Sequence, residues 1–388
     1  MLFPPPKGEE TTYTEDFMSK FRAFLQRKNI IISPKRYFID AMSAMAQGLF
    51  CTLLVGTILD TLGSQLHLAP LTAIVATYTK GDAVMGYTVG GLASAMVGPA
   101  MAVAIGAALG AGGMVLFSLV PVGFAANAMG GAGGPLAVFV AALVAAEFGK
   151  AVSKETKVDI LVTPLVTILV GVGLSRLIAA PIGAGAGALG DLIMWATELQ
   201  PFFMGILVSV IVGVVLTLPI SSAAICSVLG LTGLAGGAAV AGCCAQMVGF
   251  AVLSFRENRW GGLVSQGIGT SMLQMGNIIK NPRVWIPPTL ASAITGPIAT
   301  CLFHLEMNGA PVNSGMGTCG FCGPIGVWTG WVEPSARAAA NGAVPYAPGA
   351  IDWLGLLLVC IVLPALLSSA FGALLRRAGW IREGDLRL

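Results

Sequence analysis

Charged side chains are scarce in this sequence. Asp, Glu, Lys and Arg make up 10% of its 388 residues, whereas soluble domains contain about 25%. Hydrophobic residues make up 56% and form long continuous runs, and one transmembrane helix needs about 20 of them. The composition therefore excludes a soluble protein and predicts an all-α polytopic membrane protein that is surrounded by the lipid bilayer.

The short motifs of common catalytic sites are also missing. There is no GxxxxGK[ST] phosphate loop, no HExxH zinc motif and no GxSxG nucleophile elbow. Cys319 and Cys322 have the spacing of a redox or metal pair, but no second pair completes a tetrahedral metal site. We therefore predict no catalytic residues, no metal and no cofactor. The cysteines are interpreted as small packing residues, and redox or metal chemistry at this pair remains the alternative.

Basic residues flank the apolar part of the chain. Because basic residues stay on the cytoplasmic side of a membrane, both termini are predicted to be cytoplasmic. Ordinary topology explains these charges, and no nucleic-acid binding is predicted. The residues before the first apolar run are Lys20, Arg22, Arg27, Lys28, Lys35 and Arg36, and those after the last are Arg376, Arg377, Arg382 and Arg387.

Three regions follow from this pattern: a cytoplasmic amphipathic segment (1–36), a transmembrane transport domain (37–376) and a cytoplasmic tail (377–388). In the first region Phe17, Phe21, Phe24 and Leu25 are spaced to share one face of a surface helix. Later in the chain, residues 160–178 are expected to span the membrane, and the glycine-rich residues 180–200 to form a separate partial or interfacial helix.

Two glycine-rich segments interrupt the apolar runs, one from Asn127 to Pro135 and one from Phe303 to Trp331. Unpaired backbone groups cost several kcal/mol in lipid, so irregular chain at membrane depth must be buried in protein or line a watery cavity. Broken helices of this kind hold the solute in transporters. We therefore predict two re-entrant hairpins, and an extramembrane loop is the alternative for the second segment.

An internal similarity connects the two segments. LASAMVGP at residues 92–99 is echoed by LASAITGP at residues 290–297, and a glycine-rich segment follows each copy. Repeats with corresponding broken helices indicate a transporter site at the repeat interface. We predict an inverted repeat with halves at about 80–150 and 280–340, and chance similarity between two Ala/Gly-rich helices is the alternative.

Glu306 is the best candidate for the solute site, because ionisable residues at membrane depth are functional candidates by default. A carboxylate beside amides suits the recognition of hydroxyl groups. Beside a histidine it could instead carry a proton, and a helix end in water remains the plain alternative. The predicted solute-binding residues are His304, Glu306, Asn308, Asn313, Ser314 and Thr318, with Asn127 facing them from the other half.

Two stretches resemble a known family. KRYFIDAMSAMAQGLF (Lys35 to Phe50) and NGAPVNSGMGTCGFCGPIG (Asn308 to Gly326) are similar to the type 2 group of enzyme IIC-like permeases. These are relatives of the bacterial phosphotransferase-system sugar transporters and include proteins named after the perfringolysin O regulator. The resemblance covers about residues 15–380. Because the broader family binds sugar with a hairpin glutamate and a histidine, it implies these roles for Glu306 and His304.

The resemblance also implies a homodimer in the bacterial cytoplasmic membrane, with about ten transmembrane helices per chain, re-entrant hairpins and a moving transport domain. Any phosphorylation of the substrate would need separate phosphotransferase components, so an intrinsic enzymatic activity is left open. The predicted function is a permease for a small polar solute, a sugar or sugar-like molecule. A membrane sensor or regulator that binds a ligand without transport is the first alternative, and a channel is the second.

Overall fold

The structure is a computed structural model that describes residues 9–65, 67–80 and 83–388. Residues 1–8 of the predicted amphipathic segment and the side chain of Phe17 lie outside this description. The elements of the first half are α1 (Glu9–Arg27), α2 (Lys35–Ser64), α3 (Ala69–Thr72), β1 (Ala76–Lys80), β2 (Ala83–Tyr87), α4 (Val89–Ala95), α5 (Val97–Ala108), α6 (Gly113–Gly130), α7 (Gly134–Val152) and α8 (Asp159–Thr197).

The second half contains shorter pieces. They are α9 (Pro201–Thr217), α10 (Ser222–Leu229), α11 (Gly233–Leu253), α12 (Phe255–Val264), α13 (Met275–Lys280), α14 (Ile286–Pro297), α15 (Cys322–Val332), α16 (Ala336–Ala340) and α17 (Ala350–Arg377). Single turns of 3₁₀ or π-helix connect several of them, at Gly131–Gly133, Ser265–Gly269, Ser271–Gln274, Pro282–Trp285, Ile298–Leu302, Pro311–Gly315 and Cys319–Phe321. We call residues 265–280 the short-helix segment.

Helix makes up 79% of the structure, which confirms an all-α membrane protein. Within the described ranges, five helical stretches are long and apolar enough to cross a membrane, with Gly113–Val152, which contains α6 and α7, counted as one stretch. The number is up to six with the pair α4–α5, which bends by 52°. Among the described residues, β1 and β2 form an antiparallel pair of strands, in which Tyr78 faces Met85. The sequence did not predict this hairpin. The predicted number of about ten transmembrane helices stays a prediction.

The first glycine-rich segment forms the tip of an antiparallel helix pair, α6 and α7. Gly134 packs on Asn127 next to the tip, and Gly149 packs on Val115 near the other end. The two helices contain 18 and 19 residues, about 27 Å each at 1.5 Å per residue. Each is therefore close to the thickness of a bilayer core. The re-entrant character that the sequence predicts for this segment stays a prediction.

The expectation of a break near residue 180 was wrong. α8 is one helix of 39 residues that runs through Pro181. Glycine and proline end helices in water, but in apolar surroundings a helix is the arrangement that satisfies the most backbone groups. Contacts also support it here, because Ile182 packs on Gly133 and Gly183 on Gly130.

Close backbone contacts join the helices of the second half. Gly242 of α11 packs on the carbonyl of Ser209 in α9, and Gly205 of α9 packs on Gly296 of α14. Such small residues let helices approach closely in membranes. The two copies of the internal similarity differ locally, since the first contains the bend at Met96 and the second lies within α14. The inverted repeat stays a prediction.

Basic residues gather at one end of the molecule. Lys150 Nζ donates to the carbonyl of Leu109 at 2.9 Å and pairs with Glu147 Oε2 at 2.8 Å, and Arg36 donates to the same carbonyl. A hydrogen bond from Lys28 lowers the pKa of the Glu155 carboxyl. The same end of the molecule includes the contact between Gly276 of α13 and Ser43 of α2 and the ion pair between Arg376 and Glu257. We call it the basic face, defined by Lys28, Arg36, Lys150, Lys280 and Arg376.

Candidate functional site

The second glycine-rich segment begins as extended chain on the surface of α11. Met307 and Gly233 exchange two backbone hydrogen bonds of 3.0 Å. Gly237, one helical turn further, lies against the carbonyl of Leu305. A helix surface without side chains is what allows an extended strand to lie directly on it.

The chain then follows α11 to its midpoint and returns. Ser314 Oγ donates to the carbonyl of Leu231 at 2.7 Å, and Gly317 packs on Cys243 and Cys244, ten residues along α11 from Gly233. Ten residues correspond to about 15 Å. The positive φ of Gly317, 54°, favours glycine at this point. α15 leads back, and its Gly330 packs on Asn308.

Two of the predicted site residues are joined directly. Asn308 Nδ2 donates to Glu306 Oε2 at 2.8 Å, and Asn308 Oδ1 accepts from the backbone N–H of Gly233 at 3.2 Å. Asn308 is buried, whereas Glu306 and His304 are exposed. Asn308 therefore orients the carboxylate, and Glu306 presents it at the surface of the segment.

The remaining residues of the segment differ in what their polar groups do. Ser314 is buried and already bonded to Leu231, and the half-buried Asn313 packs on Gly326. The hydroxyl of Thr318 is buried and has no hydrogen-bond partner within the described residues. A buried polar group without a partner is unfavourable, so this hydroxyl is available to a ligand or water.

Asn127 packs within its own half, between Gly98 and Gly134. The two glycine-rich segments meet through the start of α10 instead. The N–H of Ser221 donates to the carbonyl of Ala132 at 2.9 Å, and Ser222 Oγ donates to the carbonyl of Gly315 at 2.7 Å. These serines were not predicted as site residues, although Pro219, two residues before Ser221, interrupts the apolar run in the sequence.

A deep cavity of about 50 Å³ lies where the segments meet. Such a space holds a few water molecules and is below the roughly 300 Å³ of a small-molecule pocket. Both segments contribute to it, together with α2, α10 and the short-helix segment. Its lining includes Leu49, Pro135, Ser221, Ser222, Gly269, Thr270, Met272, Gly315, Met316 and Cys319.

An aromatic cluster lies beside the start of the segment. Trp331 is 5.3 Å from Trp353 in an edge-on arrangement and 6.3 Å from Tyr346, and Trp328 is 6.2 Å from Trp353. Partial burial, together with the negative charges of Asp352 and Glu306, raises the pKa of Tyr346 to about 12. Gly330, next to Trp331, packs on Asn308, which binds Glu306, so the cluster lies near this carboxylate. The spacing of Trp328 and Trp331 was a signal in the sequence that we did not use.

All eight cysteines are free thiols in the structure. Cys319 and Cys322 are both buried, and the Cys322 Sγ is 3.4 Å from Thr61 Oγ1. Across residues 9–65, 67–80 and 83–388, no group of three or more His, Cys, Asp or Glu side chains could hold a metal ion. The interpretation of the cysteines as packing residues stays a prediction.

Replacing Asn308 with alanine tests its contribution to the stability of the protein. The change removes the partner of Glu306 and leaves the half-buried Gly233 N–H with one acceptor fewer, so we expect a loss of about 1–3 kcal/mol of stability. Thermal unfolding in detergent measures it. Asn341→Ala is the matched control, because Asn341 is exposed. Equal melting temperatures of the two variants would contradict the orienting role of Asn308.

The comparisons with known proteins agree with this architecture. The family model described as "Phosphotransferase system, EIIC" matches residues 39–388, from the first turn of α2 to Leu388. No curated protein and no solved structure matches the chain. The family match covers most of the chain and agrees with the resemblance carried by residues 35–50 and 308–326. The chain therefore belongs to the EIIC family of the phosphotransferase system.

Proposed function

We propose that this protein is a permease that carries a small polar solute, a sugar or sugar-like molecule, by alternating access. The observation that carries the proposal is the path of residues 303–332, which run along α11 to its midpoint and return. We interpret this segment as a re-entrant hairpin. Irregular chain at membrane depth is found where it lines a solute path.

The chemistry of the hairpin suits a polyhydroxylated solute. Glu306 accepts hydrogen bonds, Asn313 both donates and accepts, and the Thr318 hydroxyl is free. The aromatic cluster beside Glu306 offers apolar ring faces of the kind that pack on the C–H surface of a sugar ring. The proposed site comprises His304, Glu306, Asn308, Asn313, Ser314 and Thr318, with Asn127 at the tip of the neighbouring helix pair.

The size of the deep cavity supports movement during transport. About 50 Å³ does not admit a sugar, so the α6–α7 tip, α10 and the hairpin must separate before a solute can pass between them. Among the described residues, two hydrogen bonds, from Ser221 and Ser222, join the start of α10 to these segments. Transporters alternate their access by moving one bundle against another in this way.

The orientation follows from the basic face. Basic residues remain cytoplasmic, so we place both termini and the short-helix segment on the cytoplasmic side of the bacterial inner membrane, and the start of α11 on the outer side. We also propose that the protein is a homodimer and that each chain has about ten transmembrane helices. Phosphorylation of the solute would come from separate phosphotransferase components.

The site is tested by Glu306→Gln and Asn313→Ala. A panel of mono- and disaccharides is screened with the purified wild type by thermal shift, and the affinity of the best binder is measured by calorimetry. Each variant should lose about tenfold in affinity, close to the value of one hydrogen bond to a charged or polar group. Glu333→Gln, at an exposed glutamate beyond α15, is the matched control. Unchanged affinity in both site variants would remove this site from the proposal.

A sensor that binds the solute without moving it is the second candidate, and the small volume of the deep cavity is the observation that favours it. Uptake of the best-binding sugar into proteoliposomes distinguishes the two. A permease gives saturable flux and counterflow, whereas a sensor gives binding without flux. A channel would give flux that does not saturate.

A further inference from the structure

The last residues of the chain fold back onto the basic face. The side-chain amide of Asn281 donates to the carbonyl of Trp380 at 2.9 Å and to Asp385 Oδ2 at 2.8 Å. Arg283 lies over the ring of Trp380 at 5.2 Å. From here on, the tail means residues 380–388, which lie within the predicted cytoplasmic tail (377–388). These contacts connect it to the turn between α13 and α14.

Side-chain amides hold the backbone of the tail beyond this point. Asn258 Nδ2 donates to the carbonyl of Leu386 at 2.7 Å, and its Oδ1 accepts from the N–H of Leu388 at 2.9 Å. Gln274 donates to the same Leu386 carbonyl at 3.0 Å, and Asn277 donates to the carbonyl of Arg387 at 2.9 Å. The tail folds into turns, closed by backbone hydrogen bonds from Asp385 to Arg382 and from Arg387 to Gly384, and these side-chain amides hold its backbone in place.

Two buried apolar side chains accompany these hydrogen bonds. The side chain of Leu386 is 0% exposed, whereas that of Leu388 is 51% exposed. Ile381, near the other end of the tail, is 3% exposed. A buried leucine with backbone hydrogen bonds on both sides is the pattern of a bound peptide rather than of a loosely attached terminus.

The same amides form a ladder inside the short-helix segment. Gln266 donates to Ser254 Oγ, Gln274 donates to Gln266 Oε1, and Asn277 donates to Gln274 Oε1, each at 2.8 Å. Buried polar networks of this kind are rigid when every member is satisfied. Because Gln274 and Asn277 also bind the tail, the tail completes the ladder.

The short-helix segment separates two cavities. Gly269, Thr270 and Met272 line the deep cavity between the glycine-rich segments. Leu273 and Asn277 line a polar cavity of about 440 Å³ on the basic face. Adjacent residues of one 3₁₀ turn thus face different cavities. Gly384, Arg387 and Leu388 of the tail form part of the wall of the polar cavity.

We propose that the tail is a latch: it holds the short-helix segment in place between the two cavities. Release of the tail would let this segment move and would open the deep cavity toward the basic face. The proposal rests on the proposed function, since the deep cavity is taken as part of the solute path. Short 3₁₀ and π-helical turns have poorer hydrogen-bond geometry than α-helix and often mark hinges. Removing the tail takes away the bonds that reinforce this segment.

Hydrogen exchange of Leu386→Ala tests the latch directly. We expect amide exchange across residues 266–277 to rise by about tenfold or more, as local opening becomes easier, while α11 exchanges as in the wild type. Leu388→Ala is the matched control, because it changes an exposed leucine two residues away. An unchanged segment in Leu386→Ala, or an equal rise across α11, would overturn the proposal.

Asn258→Ala keeps the test possible if Leu386→Ala does not fold. It removes the Asn258 bonds to Leu386 and Leu388 and leaves Gln266, Gln274 and Asn277 in place, so a smaller rise confined to residues 266–277 is expected. No rise there would count against the latch. In both variants, a membrane-impermeant maleimide applied to the basic face should label Cys319, which lines the deep cavity, several times faster.

Exchange and labelling need no solute, so the two proposals can fail separately. Faster exchange and labelling without sugar flux in any variant would support the latch and contradict the permease. Sugar flux in the wild type, with neither faster exchange nor faster labelling in the tail variants, would support the permease and contradict the latch.

Discussion

Alanine in place of Gly237 is expected to lower the stability of the protein by about 3 kcal/mol or more, at the upper end of the range for overpacked sites. A Cβ atom at this position would lie 1.7 Å from the carbonyl oxygen of Leu305, and real Cβ atoms essentially never come within 3.0 Å of such an atom. The Cβ atom would meet the backbone of Leu305, so no side chain can move aside to relieve the clash. The chain that leads to Glu306 would have to leave α11, and solute binding should be lost with it.

A thiol-reactive dye measures this effect, because six of the eight cysteines are buried and become reactive on unfolding. Gly173→Ala is the matched control. Gly173 is also inside a helix, but a Cβ there meets no atom within 4 Å, and alanine is favoured over glycine by about 1 kcal/mol in a helix. The first variant should melt well below the wild type and the second at or above it. Similar melting temperatures would contradict the contact between α11 and Leu305.

Lys150→Met is expected to cost about 3–5 kcal/mol, since it leaves a buried carboxylate without its partner. The side chains of Lys150 and Glu147 are 4% and 12% exposed and form a 2.8 Å ion pair. Lys150 also donates to the carbonyls of Asn29 and Leu109. Its loss therefore weakens the connection between α1 and the helix pair α6–α7 as well.

The double variant Glu147→Leu with Lys150→Met should recover much of this loss, because replacing both ions by apolar groups removes the unpaired charge. Lys154→Met, at an exposed lysine four residues further on, is the control and should change stability by less than about 0.5 kcal/mol. All variants are compared by the same dye assay. A double variant no more stable than Lys150→Met alone would mean that the carbonyl contacts, not the ion pair, dominate.

The membrane class and the helical architecture could be predicted from composition, since few charged residues and long apolar runs leave few alternatives. The path of the chain within the membrane could not be predicted in this way. Glycine is common both in broken helices and in straight helices that pack closely, so the tract after Pro181 was read as a separate element and proved continuous with α8. Tertiary contacts to Gly130 and Gly133, which the local sequence does not encode, decide between the two.

The candidate site was predicted as a set of polar residues, and the structure assigns them different surroundings. Asn308 and Ser314 are buried and bonded to backbone, whereas Glu306 is exposed and Thr318 has a free hydroxyl. Residue type alone does not distinguish a polar group that holds the chain from one that is available to a solute. Ser221, Ser222 and Tyr346 were missed because their proximity to the hairpin arises only from the fold.

The anchoring of Leu386 has a practical consequence for anyone who expresses this protein. A fluorescent protein or affinity tag fused directly to Leu388 would place a bulky group two residues from a fully enclosed side chain. A flexible Gly/Ser spacer of about ten residues, or a tag at the other terminus, would spare this attachment. Uptake assays with unspaced fusions would report on a perturbed molecule.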